Sequence, residues 1–192
     1  MNHHEVREEC LRLLREGLPD PAPAAFDDGR DFLPLGLDMD GDVAVVTLLH
    51  HWGDPASGPG AFIEGFTFHR RDGEWMELGG GGGTAPDDAL ARRSSGEMGR
   101  YLLKYGSGRT VRNAGRLLPW GAKWVNEARL RASAEVARIR VGTRLLDVPA
   151  HGHAAVVWGS RQGPVVEALA ADGSVLDTLD LGRPAVPARA SH

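Results

Sequence analysis

Cysteine is almost absent from this chain, which has a single thiol, Cys10, among 192 residues. One thiol cannot close an internal disulfide or supply the paired thiolates of a zinc knuckle. No apolar run approaches the ~20 residues of a membrane-spanning helix, and the first ten residues, MNHHEVREEC, are too charged for a signal peptide. These absences predict a cytoplasmic protein with no membrane partner, no metal site and no cofactor.

Signatures of common catalytic sites are also missing. There is no Gly-x-Ser-x-Gly or HExxH, and Gly106–Thr110 lacks the lysine and spacing of a phosphate loop. Asp38–Asp42 resembles only the first half of a calcium loop, because the loop position that needs a glutamate is Leu49. Nucleic acid stays among the partners considered, without a motif to support it. An enzyme is therefore not the favoured interpretation.

The composition is that of an ordinary folded protein, with 42% hydrophobic and 25% charged residues. The formal net charge of -4 is unevenly distributed. Residues 1–91 carry a net charge of -12, residues 92–144 carry +10 and residues 145–192 carry -2. Such a division marks either a site for an anionic partner or two lobes of one fold that attract each other.

The first part of the chain predicts one helix and a small antiparallel sheet. Residues 4–16 have a helical apolar period, residues 19–37 are rich in Pro and Asp and predict a loop, and residues 43–52 are apolar on both faces of a strand. Asp72-Gly73 between two β-prone runs predicts a type I′ hairpin of 61–71 with 74–78. The five glycines at 79–83 are expected to end that strand.

The remainder predicts short strands at 125–132, 135–141, 143–148, 153–158, 164–170 and 174–181. In 86–122, Asp87 and Asp88 could cap a short helix, or 101–105 could be a strand that reverses at Gly106–Gly108. The predicted fold is α+β and mostly β, with an N-terminal helix on an antiparallel sheet followed by a compact β-sandwich or barrel. The predicted division is 1–85 (acidic lobe), 86–122 (basic connection), 123–183 (sandwich) and 184–192 (frayed tail).

The favoured binding surface is a set of arginines. If 125–132 and 135–141 form a hairpin, alternation places four arginines on its outer face with a fifth nearby. These are Arg129, Arg131, Arg138, Arg140 and Arg144. Guanidinium groups hold carboxylates and phosphates in bidentate pairs, so this face predicts docking of an acidic protein surface or another anionic ligand. The same residues would also suit a solvated face that the acidic lobe partly neutralises.

An alternative site lies in the first sheet. If the first two strands pair, His69 could lie across from His50 or His51, with an aromatic wall beside them. The hypothetical pocket is lined by His50, His69, Phe66, Phe68 and Trp75. Such a pocket would make the protein a small-ligand binder or an enzyme with a cone like that of nuclear transport factor 2-like proteins.

Three segments, which together make up 69 of the 192 residues, are FTFHRRDGEWMELGGGGG, WVNEARLRASAEVARIRVGTRLLDVPAHGHAAVVWG and ALAADGSVLDTLDLG. These segments resemble uncharacterised proteins of high-GC actinobacteria. Only two of the 22 basic residues are lysines. The resemblance carries no chemical motif and implies no activity or site residue. The leading hypothesis is therefore a non-enzymatic binding module, with a pocket in the first sheet or a toxin-neutralising acidic lobe as alternatives.

Overall fold

The structure, a computed structural model, describes residues 3–22, 26, 32–54, 58–86, 88–113 and 121–183. These residues form two helices and eleven strands. In chain order they are α1 (His3–Glu16), β1 (Phe32–Asp40), β2 (Val43–Asp54), β3 (Gly58–Arg71), β4 (Glu74–Thr84), α2 (Ser95–Met98), β5 (Leu102–Val111), β6 (Trp124–Ala132), β7 (Arg138–Val141), β8 (Arg144–Asp147), β9 (His153–Trp158), β10 (Val165–Leu169) and β11 (Val175–Asp180). The predicted tail 184–192 lies outside the described residues.

The helix α1 confirms the prediction for residues 4–16 and packs on the first sheet. Its buried residues are Val6, Cys10, Leu13 and Leu14. They share a core with Ala44, Val46, Leu48, Phe66 and Phe68 of the sheet. The helix ends where Gly17 takes a positive φ of 87° and donates its N–H to the Leu13 carbonyl at 2.8 Å.

The first sheet has the antiparallel order β1-β2-β3-β4. The predicted loop over 19–37 is wrong at its end, because residues 32–37 belong to β1 and pair with β2. The hairpin register is confirmed, with Arg70 opposite Trp75 and His69 opposite Met76. Asp72 and Gly73 have φ values of 52° and 89°, as a type I′ turn requires.

The glycine run does not end its strand. Gly79–Gly83 continue β4 to Thr84 and pair with β3 throughout. On one face of this run the neighbouring strand leaves no room for side chains, because a Cβ at Gly82 would lie 2.2 Å from the Ile63 carbonyl and one at Gly80 would lie 3.0 Å from the Phe66 ring. Packing by β3 therefore holds as a strand a segment that has little tendency to form one alone.

All six strands predicted in the last part are present, and they belong to two sheets. The second sheet has the order β5-β6-β9 and the third β11-β10-β7-β8. The strand β5 continues through Gly106–Gly108, so of the alternatives left open for 86–122 a strand that reverses there is not what forms. The predicted hairpin of 125–132 with 135–141 is also wrong, because β6 and β7 lie in different sheets.

The elements stack in layers that cover the second sheet on both faces. Val43 and Val45 of the first sheet share a core cluster with Val125, Ala155 and Val157 of the second. The opposite face of the second sheet packs on the third. That core includes Ala128, Leu130, Ala154 and Val156 from one side and Ile139, Val141, Val166 and Ala168 from the other. The protein is thus mostly β, with an N-terminal helix on a set of antiparallel sheets.

Candidate functional site

The five predicted docking arginines do not share one face. The alternation within each strand is as expected, since Ala128, Leu130, Ile139 and Val141 all point into one core. However, β6 and β7 face each other across that core instead of lying side by side. The arginines of β6 therefore point toward the first sheet, and those of β7 point away from it.

Arg129 and Arg131, from β6, are used inside the molecule. Arg129 is only 7% exposed and donates from Nη1 to the carbonyls of Ile63 and Gly81, at 3.3 and 2.9 Å. Arg131 donates to the carbonyls of Ala89 and Ala91. Both guanidinium groups thus connect the second sheet to main chain that comes before it in sequence.

Arg138, Arg140 and Arg144 lie elsewhere. Arg140 is exposed on the outer face of the third sheet and pairs with Glu167 of the neighbouring strand, and Arg138 shares that face by alternation. Arg144 pairs with the buried carboxylate of Asp38 and donates to the Val157 carbonyl at 3.0 Å. The predicted face is therefore divided between the interior and a separate outer surface.

The charge division of the sequence is partly neutralised within the fold. Acidic residues of 1–91 pair with arginines of 92–144, namely Asp38 with Arg144, Asp42 with Arg112 and Asp88 with Arg93. The interpretation as mutually attracting parts of one fold accounts for these charges. Arg116 lies outside the described residues.

The residues of the hypothetical histidine pocket are not brought together. In the pairing of β2 with β3, His69 lies opposite Val43, and His50 lies opposite Phe62 near the other end of the strands. Phe66 and Phe68 are buried against α1, and Trp75 packs at the edge of the same core. His50, which is 2% exposed, lies 3.3 Å from a Glu64 carboxylate oxygen. The aromatic wall therefore belongs to the core under the helix.

A buried histidine cluster lies beside β5 and was not predicted as a site. His153 Nε2 lies 2.7 Å from the Ala89 carbonyl, and its Nδ1 lies 2.8 Å from the Tyr105 hydroxyl. Arg131 Nη1 contacts the same Nε2 atom and donates to the same Ala89 carbonyl. Burial, and then the Arg131 charge, lower the pKa of His153 to about 3, and burial lowers that of His151 to about 4.

These pKa values disfavour proton transfer at neutral pH, because a general acid or base works best when its pKa lies near the working pH. The cluster instead joins residues 89–91 to the second sheet through His153 and Arg131. We interpret it as a structural connection.

A basic groove lies where the end of the β3–β4 hairpin meets the connection between β5 and β6. It has a volume of about 700 Å³. The residues that line this groove are Asp42, His69, Arg70, Arg71, Asp72, Met76, Leu78, Arg112, Asn113 and Lys123. Four of them are permanent cations and two are carboxylates, in a chain whose overall charge is negative. The groove therefore has a positive charge that the composition as a whole conceals.

Hydrogen bonds hold the two walls of the basic groove. Arg112 Nη1 donates to Asp42 Oδ1 at 2.9 Å, and His69 Nε2 lies 3.6 Å from the other carboxylate oxygen. The Arg112 N–H donates to the Lys123 carbonyl at 2.8 Å, while Asn113 Oδ1 accepts from the Lys123 N–H at 2.9 Å. Asp42 is thus neutralised within the groove, and the backbone that carries Lys123 is anchored.

The sequence analysis did not predict this groove. The hairpin prediction placed Arg70 and Arg71 correctly, but Arg112 lay in a segment without a predicted structure. The signal was the excess of bases in 92–144. Only the packing of the first and second sheets brings these cations to one place.

A metal site and a membrane-crossing helix are not found in the described part of the chain. No three His, Cys, Asp or Glu side chains within it are grouped so that they could hold a metal ion. Among the same residues, no helix has the length and apolar character needed to cross a membrane.

Comparisons with models of protein families, with curated proteins and with solved structures found no match.

Proposed function

We propose that the protein is a non-enzymatic binding module that docks an acidic protein surface in the basic groove. The observation that carries the proposal is the convergence on one groove of Arg70 and Arg71, from the end of β3, with Arg112 and Lys123, from the connection between β5 and β6. The net charge of the basic groove is positive, whereas that of the whole chain is negative.

The side chains at the rim of the groove suit contact with a partner. Arg71 has 70% of its side chain exposed, and Lys123 is exposed as well. Arg70 stacks on Trp75, with the guanidinium carbon 5.9 Å from the ring centroid, which restricts its side chain. Exposed rim charges steer association and confer specificity, and a partner rich in Asp and Glu would complement them.

The test measures binding of a fluorescein-labelled polyglutamate peptide by fluorescence anisotropy at low salt. Arg71→Glu/Lys123→Glu reverses two charges of the groove, and Arg138→Glu/Arg140→Glu reverses two on the outer face of the third sheet. We expect the groove variant to weaken binding about tenfold or more and the matched control to leave it nearly unchanged.

Three results would overturn the proposal. The wild type could fail to bind the peptide at low salt, the control variant could lose as much affinity as the groove variant, or a DNA duplex could bind where polyglutamate does not. The second result would indicate that Arg138 and Arg140 form the docking surface. The third would favour nucleic acid as the partner.

A small-ligand binder is the second candidate function. One observation favours it, a buried pair of opposite charges, Glu127 and Arg129, in a cleft between two edge strands.

A further inference from the structure

A narrow cleft separates the edge of the first sheet from the edge of the second. The edge strands are β4 and β5, and the cleft has a volume of about 350 Å³. Glu127 and Arg129 of β6 form its floor, and glycine main chain forms most of its walls. The wall glycines are Gly65, Gly79, Gly80, Gly81, Gly82 and Gly108. We name this feature the glycine cleft.

The glycines of β5 make room for the two charged side chains. Gly106 pairs with Arg129 and Gly108 with Glu127. A Cβ at Gly106 would lie 2.7 Å from Arg129 Nε, and one at Gly108 would lie 2.6 Å from Glu127 Oε1. Side chains at these two positions would displace the charges from the floor of the cleft.

The glycines of β4 keep the cleft open from the other side. A Cβ at Gly81 would have no atom within 4 Å, although the carbonyl of this residue accepts a hydrogen bond from Arg129. The missing side chain at Gly81 therefore leaves open space beside the guanidinium. Neither packing nor a positive φ requires a glycine at this position.

The charged pair in the floor is buried and incompletely hydrogen-bonded. Glu127 is 3% exposed and Arg129 is 7% exposed. The closest approach of the two charged groups joins Arg129 Nε to Glu127 Oε1 at 3.7 Å, which is too long for a hydrogen bond. Glu127 Oε2 and Arg129 Nε make no hydrogen bond with any described residue. Buried polar atoms nearly always have a partner, so these two atoms point to a ligand.

We propose that the glycine cleft binds a small, neutral, planar ligand with an amide edge, such as a primary carboxamide or a lactam. Its N–H would donate to the Glu127 carboxylate while its C=O accepts an N–H of the Arg129 guanidinium. The two opposite charges balance, so an anion would meet the repulsion of Glu127 and a cation that of Arg129. Flat walls of glycine main chain suit a planar group.

This site is separate from the basic groove. The two sets of lining residues share no member, and the ligand of the glycine cleft is neutral where the partner of the groove is anionic. Loss of one binding activity would leave the other intact, so the two proposals can fail independently.

The test is a titration followed by ¹H–¹⁵N NMR, with benzamide as the probe and with benzoate and benzylamine as probes of similar size and opposite charge. We expect benzamide to produce saturable shifts of the Arg129 Nε–H signal and of the Gly81 and Gly108 amide signals. At equal concentration, benzoate and benzylamine should bind at least about tenfold more weakly.

Two substitutions in β4 form a matched pair that tests the location. Gly81→Leu places a side chain in the cleft, whereas Gly83→Leu places one on the same strand outside the lining residues. At both positions a Cβ meets no atom within 4 Å, so both variants should fold. We expect Gly81→Leu to abolish the benzamide shifts and Gly83→Leu to retain them.

Glu127→Gln tests the chemistry with a readout that misfolding cannot reproduce. Neutralising Glu127 leaves the charge of Arg129 uncompensated, so the preference should change from benzamide to benzoate. The proposal is overturned if benzamide produces no saturable shift in the wild type, if Gly81→Leu still binds it, or if benzoate binds the wild type as well as benzamide does.

Discussion

Asp38 of β1 and Arg144 of β8 form an ion pair across 106 positions of sequence, with Asp38 Oδ2 accepting from Arg144 Nη1 at 2.5 Å. The same oxygen accepts the Val157 N–H at 2.8 Å, and the Asp38 side chain is fully buried. One carboxylate therefore connects the first, second and third sheets. Asp38 is thus an acidic residue of the segment 1–91 that makes an internal contact.

Asp38→Ala is expected to destabilise the protein by about 3 kcal/mol, because it leaves Arg144 without its carboxylate and the buried Val157 N–H without an acceptor. Urea unfolding followed by circular dichroism measures the change. Asp40→Ala, two residues away on the same strand and exposed, is the matched control and should cost less than about 0.5 kcal/mol. Equal losses for both variants would contradict the role of Asp38.

Gly106→Ala and Gly108→Ala should each destabilise the fold by about 1 to 3 kcal/mol, because the new methyl group overlaps a buried charged side chain. Gly83→Ala adds the same methyl group where no atom lies within 4 Å, so its effect should be small. Thermal unfolding of the three variants measures the difference. A stable Gly108→Ala protein would show that Glu127 is not held in place as described.

Acid should destabilise the protein through its buried histidines. The folded pKa values of His151 and His153, about 4 and about 3, lie below the value of about 6.5 in an unfolded chain. The unfolded chain therefore binds more protons as the pH falls below about 6.5, at about 1.4 kcal/mol per pH unit for each histidine. Urea midpoints between pH 7 and pH 4 should decrease, and less so in His151→Gln/His153→Gln.

Protonation of Glu127 changes the stability of the protein in the opposite direction to protonation of the two histidines. Burial raises the pKa of this carboxyl, although Arg129 opposes the shift. The folded state then holds the proton more tightly, so this contribution to stability falls as the pH rises above about 4.3. In Glu127→Gln, the acid sensitivity measured in the same series should be steeper than in the wild type. An unchanged slope would contradict the burial of the carboxyl.

Cys10 should be unreactive in the folded protein. It lies on the buried face of α1 and is 0% exposed, and burial raises the pKa of its thiol, with a further contribution from the nearby Glu77 carboxylate. Because the thiolate is the reactive form, labelling with Ellman's reagent should be negligible in buffer and stoichiometric in urea. Rapid labelling under native conditions would contradict the packing of α1 on the first sheet.

The sequence by itself determined the local structure of this protein. The helical period of residues 4–16 predicted α1, and the Asp72-Gly73 pair set the register of β3 with β4 because a two-residue turn leaves no freedom in the pairing. All six strands after residue 123 were predicted from short β-prone runs between turn residues. In each case the determining interactions lie within a few residues of one another.

Only the tertiary structure decided which strands became neighbours. Alternation correctly placed Leu130 and Ile139 in a core, but it cannot say whether two strands pair edge to edge or face each other. Because β6 and β7 face each other, Arg129 points toward the first sheet and Arg140 lies on the outer surface. Residues 79–83 were likewise expected to leave the sheet, because the packing against β3 that holds them there is not local in sequence.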